Sequence, residues 1–78
     1  MNTPEEIRQA LREQVLIVDF VKKNGDIRTL VCTTIEDIIP PTFGYSVPND
    51  EIITAWDVVS EGWRSFRVDS IISIETQP

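Results

Sequence analysis

The sequence predicts a mainly β fold, a small five-stranded barrel preceded by an N-terminal α-helix. Two observations support this prediction. A helix-start pattern occupies the first residues, and runs rich in β-branched or aromatic residues follow, separated by turn residues such as Asn24-Gly25. A chain of 78 residues holds a single small core. We therefore expect one domain over residues 1–78, with the helix at 3–14 and the barrel at 15–76.

The first element is an α-helix predicted over residues 3–14. Thr3 can cap this helix, Pro4 suits its first position, and Glu6 stands where a capping box requires an acidic side chain. The apolar residues that recur at helical spacing are Ile7, Ala10 and Leu11. A helix of this length is not stable alone, so its apolar side must dock on the barrel.

A β-hairpin is predicted next, with its first strand over residues 15–22. Asn24-Gly25 is a strong hairpin signal, because both central positions of a type I′ turn need positive φ. A two-residue loop at this site would set Phe20 opposite Thr29. One face of the hairpin would then carry Leu16, Val18, Phe20, Ile27, Thr29, Val31 and Thr33.

The rest of the chain is predicted as a loop followed by three strands. Residues 36–51 are rich in proline but too apolar for a free linker, so we expect an ordered loop that lines either a pocket or an interface. The elements predicted after it are strands 52–59, 63–67 and 71–75, a tight turn at 60–62 and a helical turn at 68–70, with Ile72 and Ile74 on one face. This order is that of a small SH3-like or Sm-like barrel.

The composition excludes several kinds of site. The chain has one cysteine, Cys32, and no histidine, which rules out an intramolecular disulfide, a Cys/His zinc site and a Cys–His nucleophile pair. The formal net charge of -6 argues against general duplex-DNA binding, which needs a basic face. We expect no catalytic residues, no metal and no cofactor, and therefore a protein that is not an enzyme.

Size and terminal composition give two further expectations. A core this small contributes about 3–5 kcal/mol, so with disulfides and zinc excluded we expect a homo-oligomer. The first residues are acidic and polar where a secretory leader is basic and then apolar, so we expect a cytoplasmic protein with no membrane partner.

The segment 62–71 combines arginines, aromatic residues and an aspartate. Arg64 and Arg67 are three positions apart, an odd spacing, so on a strand they would point to opposite faces. Each guanidinium could hold a phosphate through two hydrogen bonds, or could pair with Asp57 or Asp69. We favour Arg64 for a ligand and Arg67 for a pair with Asp69. A second basic group, expected to be a solvated hairpin tip, consists of Lys22, Lys23 and Arg28.

The same segment resembles the closing strands of WYL domains. The chain reads Gly62-Trp63-Arg64-Ser65-Phe66-Arg67-Val68-Asp69-Ser70-Ile71, and the family's signature there is Arg-Thr-Phe-Arg-Leu-Asp-Arg-Ile. The hairpin over 15–32 is similar to that of the small WYL-like (Sm-like SH3 β-barrel) proteins of tailed bacteriophages. Two departures stand out: Ser70 occupies the third basic position, and the Trp-Tyr-Leu triplet that names the family is absent.

The resemblance implies a ligand-sensing barrel that binds nucleotides or nucleic acid through the basic residues of this motif. Arg64 and Arg67 take the two arginine positions, Phe66 the aromatic position and Asp69 the acidic position. The candidate ligand-binding residues are Arg64, Arg67, Trp63, Phe66 and Tyr45. For the aromatic candidates, packing in the fold or anchoring of the loop is the alternative role.

We therefore expect a non-enzymatic, phage-type barrel that binds a nucleotide or a short oligonucleotide and sequesters or senses it, in phage–host regulation or counter-defence. Its location would be the cytoplasm of an infected bacterial host. The alternative is an acidic protein-interaction module that binds a host protein and inhibits or redirects it, which the net charge and the apolar loop favour. A third hypothesis, an Sm-like RNA-binding ring, needs a basic rim for which the chain has few charges.

Overall fold

The computed structural model describes residues 3–40 and 51–76. In chain order the elements are α1 (Pro4–Glu13), β1 (Leu16–Val21), β2 (Ile27–Thr33), β3 (Ile52–Asp57), β4 (Gly62–Arg67), a 3₁₀ turn (Val68–Ser70) and β5 (Ile71–Thr76). The predicted mainly β fold with an N-terminal helix is confirmed, and so are the five strands. Most of the predicted loop, including Tyr45, lies outside the described residues.

Helix α1 begins as its sequence predicts. The hydroxyl of Thr3 accepts a hydrogen bond from the backbone N–H of Glu6 at 3.2 Å, and the Glu6 carboxylate accepts one from the backbone N–H of Thr3 at 3.4 Å. The side of α1 that carries Ile7, Ala10 and Leu11 is buried against the sheet. Within the described parts of the chain, no helix has the length and apolar character needed to cross a membrane.

The five strands form one antiparallel sheet in the order β4-β3-β2-β1-β5. Phe20 of β1 and Phe66 of β4 lie three strands apart in this order, which in a flat sheet is about 14 Å. Their ring centroids are nevertheless only 5.5 Å apart, with the planes at 25°. The sheet must therefore curl strongly, and this curl brings β4 over the β1–β2 hairpin.

The inner face of the curled sheet and the apolar side of α1 enclose the core. Its buried members are Ile7, Ala10, Leu11, Leu16, Val18, Phe20, Leu30, Cys32, Ile53, Ala55 and Phe66. Thr33 is also fully buried, and its hydroxyl lies 2.9 Å from the carbonyl oxygen of Leu11 and 3.1 Å from that of Gln14. This side chain joins the end of α1 to β2.

The predicted register of the first hairpin is wrong by one residue. Phe20 pairs with Arg28, not with Thr29. The loop has three residues: Lys22 donates its backbone N–H to the carbonyl of Asp26 at 2.7 Å, and only Gly25 among the loop residues has positive φ, at 91°. The Asn24 side chain is used differently from the prediction, because its oxygen accepts the backbone N–H of Asp26 at 3.0 Å.

This one-residue shift exchanges the two faces of β2. Val31, which the predicted register set on the same face as Leu16 and Val18, is only half-buried, whereas Leu30 and Cys32 are buried beside those two residues. Arg28 consequently lies on the inner side of the curled sheet, on the same side as Phe20.

The prediction that Ile72 and Ile74 share a face is also wrong. The pairing between β1 and β5 shifts between Asp19 and Phe20, so that Asp19 faces Ser73 and Phe20 faces Ile71. Ile72 is the extra residue of this β-bulge, and it is 54% exposed. Ile71 and Ile74 are the residues that pack against the core.

Candidate functional site

A cleft of about 350 Å³ lies between the β1–β2 hairpin and β4; we call it the basic cleft. The four consecutive residues 64–67 of β4 all line it. Since alternate residues of a strand point to opposite faces, a cleft that touches all four must run along the edge of the strand. This edge is free in the described structure, because β4 is the last strand of the sheet.

Cations dominate the wall of the basic cleft. Five of the chain's seven lysine and arginine residues line it, and these are Lys22, Lys23, Arg28, Arg64 and Arg67. Its lining contains no aspartate or glutamate among the described residues. No salt bridge within the described ranges engages Lys22 or Lys23. An acidic protein therefore carries one concave surface lined by cations, two of which, Arg28 and Arg67, have carboxylate partners in Asp57 and Asp69.

The floor of the basic cleft is aromatic. Phe20 and Phe66 stack on each other there and are 8% and 3% exposed. At this burial they form an apolar floor and do not present free ring faces for stacking. Aliphatic side chains of Val21 and Ile52 extend the apolar part of the wall. The cleft thus combines positive rims with an apolar floor. This combination suits a ligand that has both a phosphate and an apolar ring.

Arg64 is held by the turn between β3 and β4. Its Nη1 donates to the carbonyl of Trp63 at 2.9 Å and its Nη2 to the hydroxyl of Ser60 at 3.2 Å. A Cβ atom on Gly62 would lie 2.7 Å from this Nη1, so the missing side chain of Gly62 makes room for the guanidinium. The Nε of Arg64 has no hydrogen-bond partner among the described residues. The side chain is therefore positioned but keeps a donor for a ligand.

Asp57 organises the same turn. Its carboxylate accepts hydrogen bonds from the hydroxyl of Ser60 at 2.6 Å and from the backbone N–H groups of Val59 and Ser60 at 2.9 and 3.0 Å. The Arg28 guanidinium lies 3.7 Å away. The hydrogen bond from the Ser60 hydroxyl, the backbone N–H groups and the charge of Arg64 hold the pKa of Asp57 below its ordinary value. The carboxylate stays charged and aligns two cleft arginines.

Arg67 forms the pair with Asp69 that the sequence favours. Its Nε and Nη2 donate to the two carboxylate oxygens at 3.0 and 3.1 Å, a fork geometry in which each oxygen takes one N–H. This contact raises the pKa of Arg67 and lowers that of Asp69. The Nη1 donors of Arg67 have no partner within the described structure. Arg64 lies on the inner side of β4 with Phe66, and Arg67 on the outer side, as their spacing predicts.

The structure brings together three of the five predicted ligand-binding residues, Arg64, Arg67 and Phe66. Trp63 does not line the basic cleft. It lies on the outer face, 38% exposed, where its ring meets Trp56 edge-on with centroids 5.4 Å apart. Tyr45 lies outside the described residues.

The sequence prediction missed three of the cleft cations: Lys22, Lys23 and Arg28. All three were assigned to a solvated hairpin tip. The wrong hairpin register also placed Arg28 on the face opposite to Phe20, whereas the two lie on one side. A three-residue loop with glycine at its last position was the signal that would have corrected the assignment.

Cys32 is fully buried, and burial together with the charge of Asp57 raises the pKa of its thiol to about 12. The thiol is therefore protonated at neutral pH and packs as a small apolar side chain, as predicted. Across residues 3–40 and 51–76, no group of cysteine, aspartate and glutamate side chains is arranged to hold a metal ion.

The fold and the cleft can now be compared with known proteins. A family model described as WYL_2, with an Sm-like SH3 β-barrel fold, matches residues 4–72. The chain belongs to the WYL_2 family. The match spans α1, β1 to β4 and the first two residues of β5, so the helix belongs to the segment that the family shares. No curated protein and no solved structure matches the chain.

Proposed function

We propose that this WYL_2 barrel binds a nucleotide or a short single-stranded oligonucleotide in the basic cleft, and thereby sequesters or senses it. One observation carries the proposal. A chain with a net charge of -6 gathers five of its seven cations around a single cleft whose described lining has no acid. Arg28 and Arg67 have carboxylate partners in Asp57 and Asp69, whereas Lys22 and Lys23 have none in the described structure, so the cleft keeps positive charge that an anion can neutralise.

The chemistry of the cleft suits phosphate. Arg64 and Arg67 are each oriented by the fold and keep N–H donors that the described residues do not use. A guanidinium of this kind binds phosphate oxygens through directed hydrogen bonds, and the lysines add positive charge that is free to adjust. The volume of about 350 Å³ falls within the range of small-ligand sites.

The proposal gives the barrel a binding role without catalysis, in phage–host regulation or counter-defence. Among the described residues, the charged groups of the cleft lining are lysines and arginines, whose side chains hold anions. The resemblance of the hairpin to those of small tailed-phage proteins supports the biological setting. Removal of a host nucleotide signal from solution requires only binding. Assembly into a homo-oligomer would multiply the number of clefts for each particle.

Isothermal titration calorimetry with mononucleotides, nucleotide second messengers and short single strands tests this function. We expect binding that weakens as salt concentration rises. The double variant Arg64→Ala with Arg67→Ala should lose at least about tenfold in affinity, because charge-assisted hydrogen bonds are lost. Arg12→Ala removes a positive charge on an exposed part of α1 and should change the affinity less than about twofold.

Gly62→Ala provides a variant that keeps every charge. The added Cβ displaces the Arg64 guanidinium at little cost to folding, because the atom it meets is the mobile end of a side chain. Affinity should fall while the urea midpoint stays near that of the wild type. Absence of heat with every ligand, or equal affinity of the double variant and Arg12→Ala, contradicts the proposed function.

The alternative function, an acidic module that binds a host protein, is favoured by the outer aromatic pair. Trp56 and Trp63 form an apolar patch on the face of the sheet away from the core, and Trp63 is part-exposed. If this function is correct, immobilised protein should retain a specific partner from host lysate, and Trp63→Ser should release it while Arg64→Ala should not. Retention that depends on Arg64 and not on Trp63 would contradict it.

A further inference from the structure

A second cleft of about 540 Å³ adjoins the basic cleft; we call it the outer lobe. The two concavities share five lining residues, which are Val21, Lys22, Lys23, Arg67 and Ser70. Three of these five are cations, and they form a ridge with one concavity on each side. The basic cleft is therefore not a closed pocket for one small anion, but one half of a longer groove.

The outer lobe differs from the basic cleft in its chemistry. Beyond the shared ridge it is lined by Asp69, Ile71 and Ile72. The acid disfavours a phosphate at this position, whereas the two isoleucines offer an apolar surface. Asp69 accepts one N–H at each oxygen from Arg67, and each carboxylate oxygen has a further acceptor site. An apolar surface beside a hydrogen-bond acceptor suits a nucleobase that carries an exocyclic amino group.

The β-bulge explains why Ile72 lines this lobe. A regular strand would alternate Ile71, Ile72 and Ser73 between the two faces of the sheet, whereas the extra residue re-aims one side chain. Ile72 is 54% exposed, so its side chain is available to a ligand in the outer lobe.

We infer that the ligand of this barrel is a single strand of at least two nucleotides, with a phosphodiester on the ridge and one base in the outer lobe against Ile72. This inference rests on the proposed function. The order along the groove is apolar floor, cations, apolar surface, and a single strand alternates bases and phosphates in the same way. A peptide of acidic residues fits less well, because it carries no apolar group to pack against Ile72.

Calorimetry with ligands that have the same number of phosphate groups but different numbers of bases tests the inference. We expect a 5′-phosphorylated dinucleotide, as RNA or as DNA, to bind at least about tenfold more tightly than a nucleoside 3′,5′-bisphosphate, which has two phosphates but one base. Ile72→Ser should weaken the dinucleotide about fivefold and leave the bisphosphate unchanged. Ile27→Ser is the matched control: Ile27 is an exposed strand aliphatic that lines neither concavity, and the variant should bind both ligands as the wild type does.

The outcomes separate the inference from the proposed function. Equal affinity for the dinucleotide and the bisphosphate overturns the inference alone, as does equal behaviour of Ile72→Ser and Ile27→Ser. A short polyglutamate peptide that binds as tightly as the dinucleotide also overturns it. Failure of every nucleotide ligand, the bisphosphate included, overturns the proposed function and the inference with it.

Discussion

Replacement of Asp57 by alanine should lower the free energy of unfolding by about 3 kcal/mol. Asp57 is 5% exposed, and its carboxylate accepts three hydrogen bonds from the turn that follows β3. Water can solvate the exposed backbone of Val59 and the Arg28 guanidinium, but it cannot hold the turn in its ordered conformation. Since a domain of this size has about 3–5 kcal/mol in total, urea unfolding followed by tryptophan fluorescence should show a variant close to its unfolding midpoint without denaturant.

The same carboxylate makes stability depend on acid. A group whose pKa is lower in the folded than in the unfolded chain stabilises the fold above the unfolded value, and this contribution is lost as pH falls through the folded value. The pKa of Asp57 is lowered. The free energy of unfolding of the wild type should therefore decline below about pH 4, and that of Asp57→Asn should decline less steeply.

Asp69→Asn is the matched control for both measurements. Its carboxyl also has a lowered pKa, through the Arg67 pair, but it is exposed and screened by solvent. We expect a small effect on stability at neutral pH. A loss at Asp69 as large as that at Asp57 would show that burial of the Asp57 carboxylate is not the cause.

Thr33→Val should lower the free energy of unfolding by about 2 kcal/mol. Valine has nearly the same shape, so the substitution removes only the hydroxyl that lies against the carbonyls of Leu11 and Gln14 and accepts the backbone N–H of Ile35 at 3.1 Å. The carbonyl of Leu11 still accepts the backbone N–H of Thr34 at 2.9 Å, but the carbonyl of Gln14 at the end of α1 loses the Thr33 hydroxyl as its donor. The melting temperature should fall by about 10 °C.

Thr54→Val provides the comparison for this variant. The Thr54 hydroxyl is exposed and lies 3.0 Å from that of Ser65, so solvent can satisfy the serine once the threonine hydroxyl is gone. Circular dichroism should show a melting temperature within about 2 °C of the wild type. If Thr33→Val has the same melting temperature as Thr54→Val, the contact between α1 and β2 does not depend on the buried hydroxyl of Thr33.

The element order followed from local signals, and the errors arose where one side chain changed the geometry of a turn or a strand. Thr3 and Glu6 predicted the start of α1 because a capping box is a contact within one helical turn. The hairpin register failed because the Asn24 side chain accepts a backbone N–H and leaves positive φ to Gly25 alone. The bulge at Ile72 has no sequence signal of its own, since it is imposed by pairing with β1.

Prediction of the site was limited by the same register error. Arg64, Arg67 and Phe66 were identified because they lie in one segment, and the Arg67–Asp69 pair is a local contact. Lys22 and Arg28 join them only through the curl of the sheet, which sequence spacing does not determine. Trp63 was grouped with them because it is adjacent in the chain, but it lies at the start of β4, where its ring packs against Trp56.

The pairing of β2 with β3 has a consequence for how a ligand and the fold support each other. Only two residue pairs join these strands, Cys32 with Asp57 and Thr33 with Trp56, together with a hydrogen bond from the N–H of Val58 to the carbonyl of Val31 at 3.1 Å. The basic cleft has the β1–β2 hairpin on one side of this narrow junction and the β3–β4 hairpin on the other. A ligand that contacts both sides would act as an additional tie between the two halves of the barrel. Its binding free energy would then add to the cohesion of the sheet, and an occupied barrel would resist unfolding more than an empty one.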